Sequence, residues 1–327
     1  MKKPFLICLT PVKNEAWILH AFLKATSLWA DYIIIADQMS TDGSREIALS
    51  YPKVILIDND NQEFNEVERQ KMLIDKAREI KGDKILFGLD ADEIFTSNFK
   101  ETEDWQKILH SNPGDVFWFH WANVCSNQKG YWSPKVFYPC MFHDDDKEPH
   151  GNYVRNMHSM RIPYPIEEKQ MSYVEDFKVL HLAYLFPQRV ESKLRFYKFV
   201  DFEMNKRSSV SLSRNYKNSG ITEDILPLPN NWTYCNINNK SDLFSLVDLQ
   251  TKRFWFDEYI VERIKSKGVC LFKKLDIWDK SFLKEYDLKD PRSVCMKLIH
   301  FYLKKTEKHT SNNLIKLTDK ILRNTGL

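Results

Sequence analysis

Glycine and proline are scarce in this 327-residue chain, at 9 and 13 residues, which excludes collagen-like and low-complexity classes. No apolar run approaches the roughly 20 residues that a membrane-spanning helix needs; the longest strand-like core is Tyr32-Ile33-Ile34-Ile35-Ala36. The apolar stretch behind Met1-Lys2-Lys3-Pro4 ends at Thr10-Pro11, too soon for a secretory leader, and no small-residue cleavage site follows. The six cysteines (Cys8, Cys125, Cys140, Cys235, Cys270, Cys295) are dispersed and form no C-x-x-C pair, which suits a reducing compartment and burial as small apolar groups. A cytoplasmic protein is expected. Neither G-x-G-x-x-G nor G-x-x-x-x-G-K-S/T occurs, so a Rossmann dinucleotide site and a P-loop are both disfavoured.

What is present suits a large folded core: 43% apolar and 28% charged residues. The net charge of +3 hides an asymmetry. From Ile260 to Leu327 there are 16 Lys/Arg against 8 Asp/Glu, a net +8, which leaves −5 for the rest. Such a basic end is either a solvated helical face or a contact for anionic headgroups, so peripheral attachment at the inner membrane face is one expectation. Nucleic acid is not an expected partner.

The first hundred residues alternate between strands and helices. Phe5–Leu9 is a short continuous apolar run that ends at Thr10-Pro11, and Ile18, Phe22, Ala25 and Trp29 form one stripe of a helix over about 15–28. Strands at 32–36, 54–57 and 84–89, with a helix over roughly 65–80, complete a βαβαβαβ order. That order argues for a mainly parallel sheet with right-handed crossovers. In such sheets ligands bind beyond the carboxyl ends of the strands. The loops there include Thr10-Pro11-Val12-Lys13-Asn14-Glu15, Asp37-Gln38 and Asp90-Ala91-Asp92-Glu93. Carboxylates at a strand end are hard oxygen ligands suited to Mg²⁺ or Mn²⁺, and such an ion would neutralise a diphosphate. A polar loop capping the next helix is the alternative.

Three segments in order carry a resemblance: Thr10–Glu15, Ala36-Asp37-Gln38-Met39-Ser40-Thr41-Asp42-Gly43-Ser44 and Asp90-Ala91-Asp92-Glu93. Over about residues 4–95 the chain resembles the family 2 glycosyltransferases, similar to bacterial lipopolysaccharide-core and polysaccharide enzymes. The resemblance implies the GT-A (nucleotide-diphospho-sugar transferase) fold: α/β, a Rossmann-like mainly parallel sheet with helices on both faces. It further implies that Thr10, Pro11 and Glu15 line a nucleotide pocket, that Asp37 and Gln38 face the base, and that Arg69 lies near the phosphates. Asp90, with Ala91 beside it, would approach the ribose, and Asp92 would hold the metal. Gln38 stands where many members have a second acid, which loosens the case for uracil, although a UDP-sugar remains the expected donor. A solvated pairing with Glu66 is the alternative for Arg69.

A later segment, Leu180-His181-Leu182-Ala183-Tyr184 followed by Lys193 and Tyr197, is similar to one in some of these enzymes and implies that His181 completes the metal shell. A satisfied core histidine is the alternative. The catalytic base is expected at His158, where Ser159 follows in place of the family's acid, or at Asp176; Asp144, Asp145, Asp146 and Glu175 are further candidates. The His143–Asp146 run reads otherwise as a solvated loop. On strand 116–121, either Trp118 with His120, or Phe117 and Phe119 with Trp121, should pack inward.

The expected division is 1–204, catalytic, with a nucleotide-sugar half to about 95 and an acceptor half beyond, then 205–327, loop-rich and afterwards helical and basic. The expected activity is inverting, metal-dependent transfer of a sugar from a nucleotide diphosphate to a glycan or lipid-linked acceptor in surface polysaccharide or glycolipid synthesis. Two alternatives stay open: the same transfer onto a protein or nucleic acid, and a non-catalytic nucleotide- or glycan-binding module.

Overall fold

The computed structural model describes residues 3–147, 159–163, 170–217, 224–234, 243–251 and 253–324. The chain divides into two compact units, Met1–Leu185 with Ile225–Gln250, and Phe186–Asp224 with Thr251–Leu327. The expected boundary after Met204 falls inside the second unit, which begins at Phe186 and already holds the whole helix Pro187–Asn205.

The first unit is α/β. Its elements begin β1 (Phe5–Val12), α1 (Ala16–Thr26), β2 (Tyr32–Asp37), α2 (Ser44–Leu49), β3 (Val54–Asp58), α3 (Glu66–Arg78) and β4 (Lys84–Gly88). They continue with β5 (Glu93–Phe95), α4 (Glu103–Leu109), β6 (Asp115–Val124), β7 (Gly130–Trp132), β8 (Phe137–His143) and β9 (Gln170–His181). The central sheet runs β3-β2-β1-β4-β8-β6, with β9 parallel to β6 on its other side. β8 opposes both of its neighbours, and the other strands of this series share one direction. The expected mainly parallel sheet is therefore present.

Alternation along the strands feeds two cores. Ile7, Leu9, Ile34 and Leu86 turn to one face and pack with Leu73, Ile74 and Ala77 of α3. On β4 the next residue, Phe87, meets Trp29, Phe95 and Trp105, with ring centroids 4.6 to 6.1 Å away. Each such fully buried large side chain contributes about 1.5–3 kcal/mol. Phe117 and Phe119 join the buried set at 4% and 0% exposure, whereas Trp121, of the same expected face, does not. The pairing of β6 with β9 shifts register between Phe119 and Trp121, and such an irregularity re-aims a side chain.

Pro11 does not end β1, which continues to Val12. In a parallel strand, successive residues bond to opposite neighbours. Leu9 bonds toward β4, accepting from Leu89 N–H at 3.1 Å, and Val12 bonds toward β2, accepting from Gln38 N–H at 2.8 Å. Pro11 therefore turns its missing N–H toward β4, whose pairing with β1 has already stopped at Leu9.

The segment 40–44 is largely spent on capping. Asp42 accepts from Ala16 N–H at the start of α1 (2.9 Å) and from Ser44 N–H (3.0 Å), and Ser44 Oγ accepts from Glu15 N–H (2.9 Å). Gly43, at φ +96°, occupies a backbone region that L side chains rarely adopt. Cys8, Cys125 and Cys140 are buried, and burial pushes the Cys8 and Cys140 thiols up to about 12. Cys270 and Cys295 are exposed, against expectation, and Cys235 lies outside the described residues.

The second unit is helical: α5 (Pro187–Asn205), α6 (Ser209–Asn215), α7 (Trp255–Lys267), α8 (Lys280–Glu285), α9 (Val294–Lys305) and α10 (Asn313–Asn324). Phe196, Phe199, Phe272, Trp278 and Phe282 are fully buried there. Arg195 grips both Asp257 (2.9 and 2.7 Å) and Asp279 (2.7 Å).

Candidate active site

The sheet order reverses at β1, which leads to β2 on one side and has β4 on the other. Sheets of this kind receive their ligands beyond the carboxyl ends of the strands at such a switch. After β4 the chain turns through Asp90–Asp92 into β5, which pairs with the end of β9 so that Glu93 stands opposite His181. Leu182 N–H donates to Asp92 O at 2.7 Å and fixes the turn.

Among the described residues, this places one ligand atom each from Asp92, Glu93 and His181 within 4.8 Å of one another. Asp92 Oδ1 lies 3.9 Å from His181 Nε2. The other ring nitrogen, Nδ1, donates to Asn123 Oδ1 at 2.7 Å. Nε2 of the neutral ring thus keeps its lone pair on the side of the carboxylates, the arrangement in which an imidazole can bind a cation. Asp92 and His181 offer a carboxylate and an imidazole to a divalent cation such as Mn²⁺ or Mg²⁺, while both oxygens of Glu93 are bonded by Arg161.

Arg161 is the cation already there. It donates to Asp90 Oδ2 at 2.7 Å, to both carboxylate oxygens of Glu93, and to Gly88 O at 3.3 Å. Gly88 permits this approach, since a Cβ there would lie 2.8 Å from Arg161 Cβ and 3.2 Å from Arg161 O. One guanidinium serves two carboxylates, and the balance is uneven. Burial pushes Glu93 up to about 7, with Arg161 acting in the opposite sense and Asp90 and Asp92 adding to the rise. Burial would lower Arg161, but Asp90 and Glu93 outweigh it and hold the guanidinium well above its ordinary range.

Aromatic rings stand around this group. Trp121 stacks on Tyr138 with centroids 4.0 Å apart, lies 5.1 Å from His181, and has the Arg161 guanidinium 5.5 Å from its ring. Tyr184 meets the His181 ring edge-on at 5.7 Å.

The remaining expected residues fall in several places. Thr10 and Pro11 are buried on β1, Thr10 with its hydroxyl 3.5 Å from Cys8 Sγ. Glu15 accepts from Trp17 Nε1 at 2.6 Å. Asp37 is 1% exposed and accepts through Oδ2 from Arg45 (2.9 Å) and Ser40 N–H (3.2 Å), and its Oδ1 has no hydrogen-bond partner among the described residues. Gln38 donates to the carbonyls of Asn61 (2.6 Å) and Glu63 (3.2 Å), which ties it to the loop after β3. Arg69 has its guanidinium 5.6 Å from the Phe64 ring. Ala91 is buried between the two aspartates.

Asp176 is not brought to this group. It lies five positions before His181 on β9, roughly 15 Å of extended chain, and its carboxylate accepts from Asp104 N–H at 3.2 Å in the first turn of α4. His158 lies outside the described residues. Ser159 donates its N–H to Glu66 Oε2 at 2.9 Å, which occupies the glutamate offered as an alternative partner of Arg69. The His143–Asp146 run is no solvated loop at its start: His143 contacts Asp83 at 2.7 Å, and Arg78 holds both oxygens of Asp144 at 3.1 and 2.8 Å.

Arg161, Asn123 and Gly88 join the site without having been expected there, and Glu93 joins it from the acidic turn without an expected role of its own. Glu93 had a signal in its place directly behind the two aspartates. Arg161 had none, being 71 residues from Asp90.

No family model matches the chain, and no curated protein matches it. Several solved structures are similar at low levels. Glucosyl-3-phosphoglycerate synthase from Mycobacterium tuberculosis, in complex with Mn²⁺, uridine diphosphate and glucosyl-3-phosphoglycerate, matches at 16% identity and a TM-score of 0.27, over 37% of this chain and 43% of that one. S. aureus TarS 1-349 matches at 10% identity and a TM-score of 0.35, over 98% and 92%. A 4-diphosphocytidyl-2C-methyl-D-erythritol synthase matches at 12% identity and a TM-score of 0.24, over 28% and 48%. The chain thus spans under half the length of the synthases it matches. Likenesses of this size do not establish a family.

Proposed function

We propose that this chain is a glycosyltransferase of GT-A type that moves a sugar from a nucleotide diphosphate, most simply UDP, to an acceptor hydroxyl, with Mn²⁺ or Mg²⁺ held by Asp92 and His181. The observation that carries this reading is the convergence of Asp92, Glu93 and His181 at the carboxyl end of β4, the end where an α/β sheet receives its ligand. When bound, the cation would offset the negative charge that grows on the diphosphate as the sugar leaves. Arg161 keeps Asp90 and Glu93 in place and holds part of the acidic charge in check before any donor arrives. Asn123 orients His181 through Nδ1.

On the nucleotide side we assign Thr10, Pro11, Glu15, Asp37 and Gln38 to the base and ribose, with Asp90 and Ala91 beside them and Arg69 toward the phosphates. The open Oδ1 of buried Asp37 supports its part in this, because a buried carboxylate oxygen without a donor is costly until something donates to it. Direct displacement with inversion needs a base for the acceptor proton. Asp176 is engaged at the start of α4, so we assign the base to His158, whose ordinary pKa of about 6.5 suits the task. The acceptor we propose is a surface glycan or lipid-linked sugar, with the stacked Trp121 and Tyr138 as its platform.

The test is a thermal-shift panel of UDP-, GDP- and dTDP-sugars with and without Mn²⁺, followed by donor turnover. One nucleotide class should raise the melting point by mass action, and wild type should turn over donor where Asp92→Ala does not. Binding of nucleotide with equal, negligible turnover in both proteins would instead mark a non-catalytic module.

A further inference from the structure

The second unit leaves two apolar stripes uncovered. Val294, Leu298 and Phe301 of α9 are 76%, 64% and 60% exposed, and Leu314, Leu317 and Ile321 of α10 are 74%, 55% and 55% exposed. Their spacings, i, i+4, i+7 and i, i+3, i+7, put each set on one face of its helix. Both helices are held from the other side. Met296, His300 and Leu303 of α9 are buried, and Asp319 of α10 is gripped by Arg214 at 2.7 and 2.8 Å. The apolar residues therefore point outward because the opposite faces are already committed.

The charges around the stripes are one-sided. Residues 293–324 carry seven lysines and arginines, all exposed, against two acids, Glu307 and Asp319, both buried. The exposed fixed charge of this hairpin is wholly positive. Lys305 extends over the Phe301 ring, 5.6 Å from its centroid, and so places its ammonium at the edge of the apolar stripe.

We infer that α9 and α10 form a peripheral membrane anchor that lies in the surface of an anionic lipid bilayer, with the apolar stripes among the acyl chains and the lysines at the headgroups. At 12 residues each, both helices are too short to span a bilayer and long enough to lie in its interface. A second copy of the chain is the weaker occupant. Twofold pairing through this patch would set the same positive rim against itself, with like charges facing.

The experiment is co-sedimentation of the full chain with phosphatidylcholine vesicles that contain either no anionic lipid or roughly one-third phosphatidylglycerol. Wild type should partition at least about tenfold better to the anionic vesicles, and salt should weaken the interaction. Leu314→Ser combined with Leu317→Ser and Ile321→Ser should lower that partitioning by about tenfold or more with an unchanged melting point, since these side chains are exposed. Lys316→Glu with Lys320→Glu should lower the preference for anionic lipid. Equal partitioning of wild type and the triple variant, no partitioning to anionic vesicles, or dimers by light scattering in place of vesicle binding would each overturn the proposal. The readout needs no donor, acceptor or turnover, so it stands or falls apart from the transferase reading.

Discussion

Two acidic clusters occupy opposite ends of strand β4, and they are built alike in composition. At its start, Asp144 and Asp146 meet Arg78 and Lys84, and His143 meets Asp83; at its end, Asp90 and Glu93 meet Arg161, with Asp92 and His181 beside them. The first group is closed. Asp144 is doubly bonded by Arg78, which together with neighbouring backbone donors holds its carboxyl below the usual range despite burial. The second group is open: one guanidinium is divided between two carboxylates, and burial leaves Glu93 shifted up to about 7. Residue types do not separate a structural ion pair from a ligand site. The ratio of cations to carboxylates, and the end of the strand on which they lie, do.

The sharpest contrast is in turnover. Asp92→Ala should lower donor turnover by at least about a hundredfold, the scale for loss of charge stabilisation at a leaving group, while Asp144→Ala leaves it within a small factor; steady-state assays of both variants check this. A second contrast is in stability. Asp144→Ala removes the buried partner that holds Arg78 through two bonds, leaves it the exposed Asp146, and should cost about 3 kcal/mol in denaturant unfolding, whereas Asp92→Ala, which relieves crowding among like charges, should cost less or stabilise.

A third test is steric. Gly88→Ala drives a methyl into Arg161 Cβ at 2.8 Å and its carbonyl at 3.2 Å, and should destabilise by about 2 kcal/mol. Gly114→Ala, near the other cluster, meets nothing closer than Asp145 Oδ2 at 3.8 Å but sits at φ +100°, so its cost is backbone strain of about 1 kcal/mol. Chemical unfolding of both variants orders them.

The finest discrimination lies in opposite pH slopes. Glu93 titrates near 7 when folded against an ordinary 4.5, so between these values the folded state holds more protons and stability falls as pH rises. Glu93→Gln should flatten that window. Asp144 is depressed from 3.8, so its contribution is present above about pH 4 and is lost as pH falls further; Asp144→Asn should flatten the acid limb instead. Unfolding free energies across pH for wild type and both variants test the pair.

The strands were legible because their cause is local. Phe5–Leu9, Tyr32–Ala36 and Lys84–Leu89 are largely apolar runs bounded by polar turns; the observed β1 and β2 include the first two, and β4 covers the third except Leu89. Asp92 and His181 were singled out from short segments and lie 3.9 Å apart. The role of 40–44 as the cap of α1 was not legible, since its partners lie 26 to 29 residues earlier. Arg161 was equally hidden: only the packing of 159–162 against Gly88 brings it to the acids.

The sequence alone determined which segments extend and which coil as far as the fourth strand, where the acidic turn follows that strand, and that the carboxyl-terminal end is basic, because each depends on spacing within a few residues. Tertiary structure decided which acid is paired and which is left to share a cation, and which apolar helix faces remain uncovered. Those outcomes depend on desolvation and on distances between groups far apart in the chain, and both exist only once the backbone has folded around them.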